Sequence, residues 1–259
     1  MIMIDTETCI GCGQCIHVCP FTVLKRGADG KAIHTGKPCI ACMHCAAVCP
    51  KEAITYGGEP AVLGPVHPLP KRCSETAEQL IYQRRSCRRF QKKPIPEELL
   101  KKALDAAMTA PSAKNQHPDR WIIIETEALK TKLMELILQY CQKQQVSPEI
   151  LTEYENQNNL VMGENAELLI GICRDDALNP LQDTAIALAT AELILQANDV
   201  GTCWGGYLTR FLNAIPECRR LLGIADGSSV YGSLMIGYPK GQEYRNIPVR
   251  LVKPEITRL

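Results

Sequence analysis

Cys9, Cys12, Cys15 and Cys19 run up to Pro20, and Cys39, Cys42, Cys45 and Cys49 run up to Pro50. Both runs keep the spacing C-x2-C-x2-C-x3-C-P. Thiolates are soft ligands suited to iron–sulfur centres and zinc. A cubane of four irons takes four of them, three from one compact loop and one from a distant residue. Zinc would need only one C-x2-C pair from each run, so the duplicated four-cysteine run argues against it. Disulfides fail on context, because cysteines two residues apart in tight loops bridge poorly. No secretory signal precedes the first run either. The chemistry on offer is one-electron transfer.

The duplicated run resembles that of the two-cluster bacterial ferredoxins. That resemblance implies that the fourth cysteine of each run crosses to the other cluster. Cys9, Cys12, Cys15 and Cys49 are then expected on one 4Fe–4S cluster, and Cys39, Cys42, Cys45 and Cys19 on the second.

Four later segments carry more than fold. Arg84-Arg85-Ser86-Cys87-Arg88-Arg89-Phe90 follows a helix, and arginine forks match phosphate oxygens. The plainer reading of this run is a solvated basic face or a nucleic-acid patch. Ala110 to Pro118 lies between a helix and a strand, so it is a loop of small and amide side chains suited to a polar ring edge. Gly201-Thr202-Cys203-Trp204-Gly205-Gly206-Tyr207 reads as a glycine-rich turn that lets backbone approach a flat ligand. Gly237-Tyr238-Pro239-Lys240 closes a strand, with Arg245 and Arg250 beyond it. No G-x-G-x-x-G fingerprint occurs, which argues against a Rossmann nicotinamide site.

In this order and at these separations, the four segments resemble the flavin-dependent nitroreductase family over residues 80–250. With the N-terminal module, the whole chain resembles the ferredoxin–nitroreductase fusions of anaerobic bacteria. The resemblance implies an FMN enzyme that is a homodimer with its flavins at the subunit interface. The family's basic motif for the FMN phosphate and ribityl chain falls on Arg84, Arg85, Ser86 and Arg88. Its loop that reaches the flavin of the other subunit falls on Pro111, Ser112, Ala113 and Asn115. Its amide-bearing turn beside the flavin's reactive nitrogen falls on Trp204, Gly205 and Gly206, and its C-terminal phosphate residue on Arg245 or Arg250. The family loop commonly ends N-x-Q-P-W, whereas this chain has Asn115-Gln116-His117-Pro118-Asp119. The departure bears on the substrate pocket more than on the FMN site.

The expected function is electron passage from a donor through two clusters to FMN and then to a nitro compound or similar electron-poor acceptor. The donor is a reduced ferredoxin or flavodoxin, or NAD(P)H. The chemistry is flavin-centred, so no separate catalytic side-chain set is expected. Reductive dehalogenation or ene reduction on the same fold stays open, with Glu149 to Asn159 as a polar lid. So does an electron-transfer protein that serves a partner. Asp175, Asp176 and Asp183 read as helix-end and surface residues.

Behind these segments the fold reads as α+β. A small ferredoxin-like domain with the duplicated motif spans residues 1–58, a Gly/Pro-rich linker 59–73, and a domain with a central sheet flanked by helices 74–259. Thr76 to Gln79 reads as a capping box opening a helix to Gln83. Helices are expected over 97–109, 128–144 and 183–197, and strands over 121–125, 168–172 and 229–236. The helix over 183–197 is apolar all round, which suits a core or a subunit interface.

Net charge is +1, so no global field favours nucleic acid. No apolar stretch nears the roughly 20 residues that span a bilayer. The protein is expected in the cytoplasm, where Cys73, Cys87, Cys141, Cys173, Cys203 and Cys218 stay reduced.

Overall fold

The two cysteine runs fold as two copies of one unit in the computed structural model, which describes residues 1–61, 64–241 and 254–258. Arg245 and Arg250 lie outside the described residues. The chain divides into residues 1–70 with 114–116, and residues 71–113 with 117–259.

In the first unit, β1 (Ile2–Ile4) pairs antiparallel with β4 (Ile54–Tyr56), placing Ile4 opposite Ile54. β4 also takes β5 (Glu59–Pro60), so the expected linker begins with a short paired strand. β2 (Leu24–Arg26) and β3 (Ala32–His34) form a hairpin. Single-turn helices α1 (Gln14–His17) and α2 (His44–Ala47) follow the cysteine loops. Ile2, Leu24, Ala32, Ala46 and Ile54 pack with Cys15 and Cys45 at the centre.

The copies differ in how they meet one backbone demand. Gly11 and Gly13 adopt φ of 70° and 81°, and their counterparts Ala41 and Met43 adopt 53° and 58°. Left-handed φ costs a non-glycine residue about 1–2 kcal/mol. Ala41→Gly is therefore expected to raise the unit's unfolding midpoint. Gly11→Ala should lower it, since its Cβ would meet the Gly30 carbonyl oxygen at 2.7 Å. Equal midpoints for the two variants would contradict this.

The second unit is built on a four-stranded antiparallel sheet ordered β6-β7-β9-β8: β6 (Arg120–Ile124), β7 (Glu167–Arg174), β9 (Ser228–Gly237) and β8 (Gly201–Trp204). β7 is central and covered on both faces, which is why Leu168 to Cys173 is nearly all apolar. Leu168, Ile170 and Ile172 face α5 (Glu127–Gln144), α8 (Gly206–Ala214) and α9 (Pro216–Leu221) through Leu133, Ile137, Phe211 and Cys218. Leu169, with Leu234 and Ile236, faces α4 (Glu97–Ala107) and α7 (Pro180–Gln196) through Leu100, Ala103, Leu188 and Leu195. The remaining helices are α3 (Cys73–Gln83) and α6 (Pro148–Glu155). Among the described residues, no helix is long and apolar enough to cross a membrane.

Two sequence expectations give way here. The capping box does not form, because α3 opens at Cys73 and Thr76 Oγ1 donates back to the Arg72 carbonyl at 3.2 Å. Gly201 to Trp204 is an edge strand and not a turn. Glycine stands at its head because Cys87 Cβ and Pro239 Cγ would each lie 2.9 Å from a Cβ at position 201.

Candidate functional site

In the first unit the eight thiols separate into two cavities. Cys9, Cys12, Cys15 and Cys49 line one, with Gly11, Gly13 and Pro50. Cys19, Cys39, Cys42 and Cys45 line the other, with Pro20 and Met43. Each cavity takes three cysteines from one run and the fourth from the other. Tetrahedral zinc at 2.3 Å from each sulfur would hold them about 3.8 Å apart. Four thiols per cavity, three from one run and one from the other, are the ligand set that a four-iron cluster takes.

Backbone amides also aim at the sulfurs. Val23 N–H donates to Cys19 Sγ at 3.4 Å, and its counterpart Ala53 N–H donates to Cys49 Sγ at 3.3 Å. Ala41 N–H donates to Cys39 Sγ at 3.4 Å. Such bonds favour thiolate and tune cluster potential. Burial pushes the Cys45 thiol up to about 11, and nearby Cys42 and Cys39 add to it. Cys15 rises for the same reason, mainly burial, with Cys12, Cys49 and Cys9 adding. Four thiolates crowded this way repel one another unless a cationic centre sits among them.

In the second unit the basic run 84–90 is extended and threads beside the sheet. Ser86 bridges to Thr202, and Phe90 bridges to Pro239. Cys87 and Phe90 point into the core while Arg88 stays exposed. Arg88 lines a cavity of about 580 Å³ with Trp204, Gly206, Tyr207, Arg210, Leu160 and Met235. Gly205 is fixed by packing, since a Cβ there would meet Ser233 Oγ at 2.7 Å, whereas Gly206 faces open space. Gly206 is also the first residue of α8, so its amide is one that no helical carbonyl takes. Arg84 turns toward Glu192, 3.6 Å away. Arg85 donates to the Tyr82 and Arg84 carbonyls at 2.8 and 2.7 Å. A larger cavity of about 1150 Å³ lies between α4 and the β6 edge, and among the described residues none of those expected at the flavin lines it.

Residues 81–238 match the sequence model of the nitroreductase family. The chain belongs to the nitroreductase family. Residues 1–54 match that of a 4Fe-4S dicluster domain. An Archaeoglobus fulgidus protein provisionally named NADH dehydrogenase/NAD(P)H nitroreductase is 28% identical over 175 residues, 65% of this chain and 88% of its own length. A Thermus thermophilus NADH dehydrogenase is 26% identical over 183 residues, 65% of this chain and 89% of that protein. A Bacteroides fragilis nitroreductase solved with bound FMN superposes with a TM-score of 0.61 at 20% identity, covering 70% of this chain and 98% of that one. The second unit thus has the nitroreductase α+β fold, and the whole is an oxidoreductase with an iron–sulfur module.

Within this nitroreductase unit, Pro111, Ser112 and Ala113 do not line the Arg88 cavity. Asn115 falls in the segment grouped with the first unit. The loop is held tightly. Lys114, Asn115 and His117 all have left-handed φ, of 50°, 56° and 43°. Ser112 Oγ accepts His117 N–H at 3.0 Å, and Asp183 Oδ1 accepts Ala113 N–H at 3.0 Å.

Asp183 is a correction to its surface reading. α7 begins at Pro180, three residues earlier than expected, and this carries Asp183 under the loop, where it is only 4% exposed. Its Oδ2 has no hydrogen-bond partner among the described residues. Asp119, at the position where the family has tryptophan, accepts a hydrogen bond from Thr184 Oγ1. Burial first, and the nearby Asp183 charge second, push the Asp119 carboxyl above its ordinary range. A raised carboxyl contributes stability at acid pH and loses it as pH rises through the raised value. Asp119→Asn should therefore gain stability on the parent as pH goes from about 3 to about 7. A constant difference in melting temperature across that window contradicts the assignment.

Sequence reasoning missed Glu192 and Arg210, and gave Tyr207 no role beyond closing the glycine-rich segment. Tyr207 donates to Glu149 Oε1 at 2.8 Å, and Arg210 donates to Ser147 Oγ at 2.7 Å, tying α8 to the start of α6. Only the helical period of residues 206–214 could have drawn attention to that pair. Cys203 is buried at the cavity's edge strand, and burial pushes Cys218 up to about 12, away from thiolate chemistry.

Proposed function

We propose that this chain is a cytoplasmic FMN-dependent oxidoreductase passing electrons from a donor through two 4Fe–4S clusters to FMN, and on to a nitro compound or similar electron-poor acceptor. Its domains are residues 1–58 for the clusters, 59–73 as linker and 74–259 for the flavin. The observation that carries the reading is the meeting of Arg88 with Trp204 and Gly206, more than a hundred residues further along the chain, around one cavity.

When bound, FMN supplies two-electron chemistry and the clusters supply one-electron relay. The chain's own residues bind and orient. Arg88 gives donors to the phosphate and ribityl chain with Ser86 beside it in the run, while Arg84 and Arg85 of the same motif are engaged by Glu192 and by the Tyr82 and Arg84 carbonyls, and Arg245 or Arg250 completes the site. Gly206 presents the positive end of α8 to charge developing on the ring. Cys9, Cys12, Cys15 and Cys49 hold one cluster, and Cys19, Cys39, Cys42 and Cys45 the other.

The working form is a homodimer in which Pro111, Ser112, Ala113 and Asn115 serve the second subunit's flavin. Two features support this. Pro111, Ser112 and Ala113 are absent from their own cavity lining, and α7 leaves Leu181 and Ile186 exposed. A reduced ferredoxin or flavodoxin is the donor, with NAD(P)H as the competing one.

Protein purified without oxygen should carry about eight irons, about eight sulfides and about one FMN per chain. Stoichiometric zinc, or flavin that never co-purifies or rebinds, contradicts the proposal.

A further inference from the structure

We propose that Glu192 is the positioning residue of the Arg88 cavity and that it acts through Trp204. The inference rests on that cavity being the flavin site. Glu192 lies on the inward face of α7 among Leu188, Ala191 and Leu195, and is only 5% exposed. A buried carboxylate is costly unless its oxygens are hydrogen-bonded. Here both are. Thr202 Oγ1 donates to Oε1 at 2.6 Å, and Trp204 Nε1 donates to Oε2 at 3.2 Å. Arg84 approaches Oε1 at 3.6 Å and balances the charge.

The Thr202 bond is directional. A hydroxyl has one proton to give, and Gln196 Nε2 already donates to Thr202 Oγ1 at 2.8 Å. The Thr202 proton therefore goes to Glu192. Thr202 and Trp204 stand two residues apart on β8, on the same side of the strand, so one carboxylate holds both.

Trp204 has one polar atom, tied to Glu192 on the α7 face where its register partner Leu234 packs, and the residue also borders the cavity with Arg88 and Gly206. The indole is thereby held in one orientation on the α7 face, and with it the end of β8 from which Gly205 and Gly206 lead into α8 at the cavity. Filling the core alone would not call for an acid here, since the neighbouring inward positions of α7 are alanine and leucine.

The test uses a Trp121→Phe background, in which Trp204 is the sole tryptophan. Glu192→Gln keeps an acceptor for the indole N–H. It should leave Trp204 emission and anisotropy unchanged and the FMN Kd within about threefold. Glu192→Leu removes the acceptor. It should shift the emission, lower the anisotropy and weaken FMN binding by about tenfold or more. Should the leucine variant fail to fold, Trp204→Phe in the otherwise unaltered chain takes its place, with the same loss of FMN affinity expected. The proposal is overturned by a glutamine variant as impaired as the leucine one, or by leucine or phenylalanine variants that bind FMN like the parent. Emission needs no flavin. A parent chain that binds no FMN would sink the flavin reading, while the emission comparison would still decide the role of Glu192.

Discussion

Cys42→Ser is expected to leave about four irons per chain in place of about eight, and to cut ferredoxin-driven turnover at least about tenfold. Flavin content and any NAD(P)H-driven turnover should stay as in the parent. Cys42 shares its cavity with Cys19, Cys39 and Cys45, so one substitution breaks one set of four and leaves the set with Cys9 and Cys49 intact. Serine is a harder and less acidic donor than cysteine and holds a soft centre poorly. Iron analysis and the two rates, measured side by side, check the prediction. Ferredoxin-driven rates equal to the parent's would remove the relay from the account.

Arg88→Ala should weaken FMN binding by about 10- to 100-fold, the loss expected when charge-assisted hydrogen bonds worth about 1.5–3 kcal/mol are removed. The fold should survive. The Arg88 side chain is exposed, and the bond its backbone carbonyl accepts from Glu164 N–H at 2.8 Å does not depend on it. Flavin retained after gel filtration, followed by fluorescence, is the readout. The loss relative to the parent should shrink at higher salt, because salt screens the attraction that the exposed Arg88 supplies in the parent. Full occupancy in the variant would move the phosphate contact to another residue.

The iron–sulfur half of the chain was legible because its chemistry is local. Cysteine spacing fixes which thiols share a loop, and the duplication announces the second cavity. The buried strand around Leu168 to Ile172 and the apolar stretch of α7 were legible through length and composition. What the sequence hid depends on pairing across space. β8 looks like a turn because its glycine, Gly201, answers to Cys87 and Pro239, more than a hundred and almost forty residues away. Asp183 and Glu192 sit in a helix whose pattern says only that it is apolar, and nothing in that period reveals which acids find partners in the core. The Thr76 box had the right residue types, but α3 had already begun at Cys73.

The most direct test of the account is anaerobic reduction followed by absorbance, with reduced ferredoxin and NADH offered separately to protein whose iron, sulfide and FMN have been counted. Reduced ferredoxin should bleach clusters and flavin together, while NADH does little over the same time. Rapid reduction of the flavin by NADH, with the clusters lagging behind, would contradict the relay and make this a nicotinamide-driven reductase.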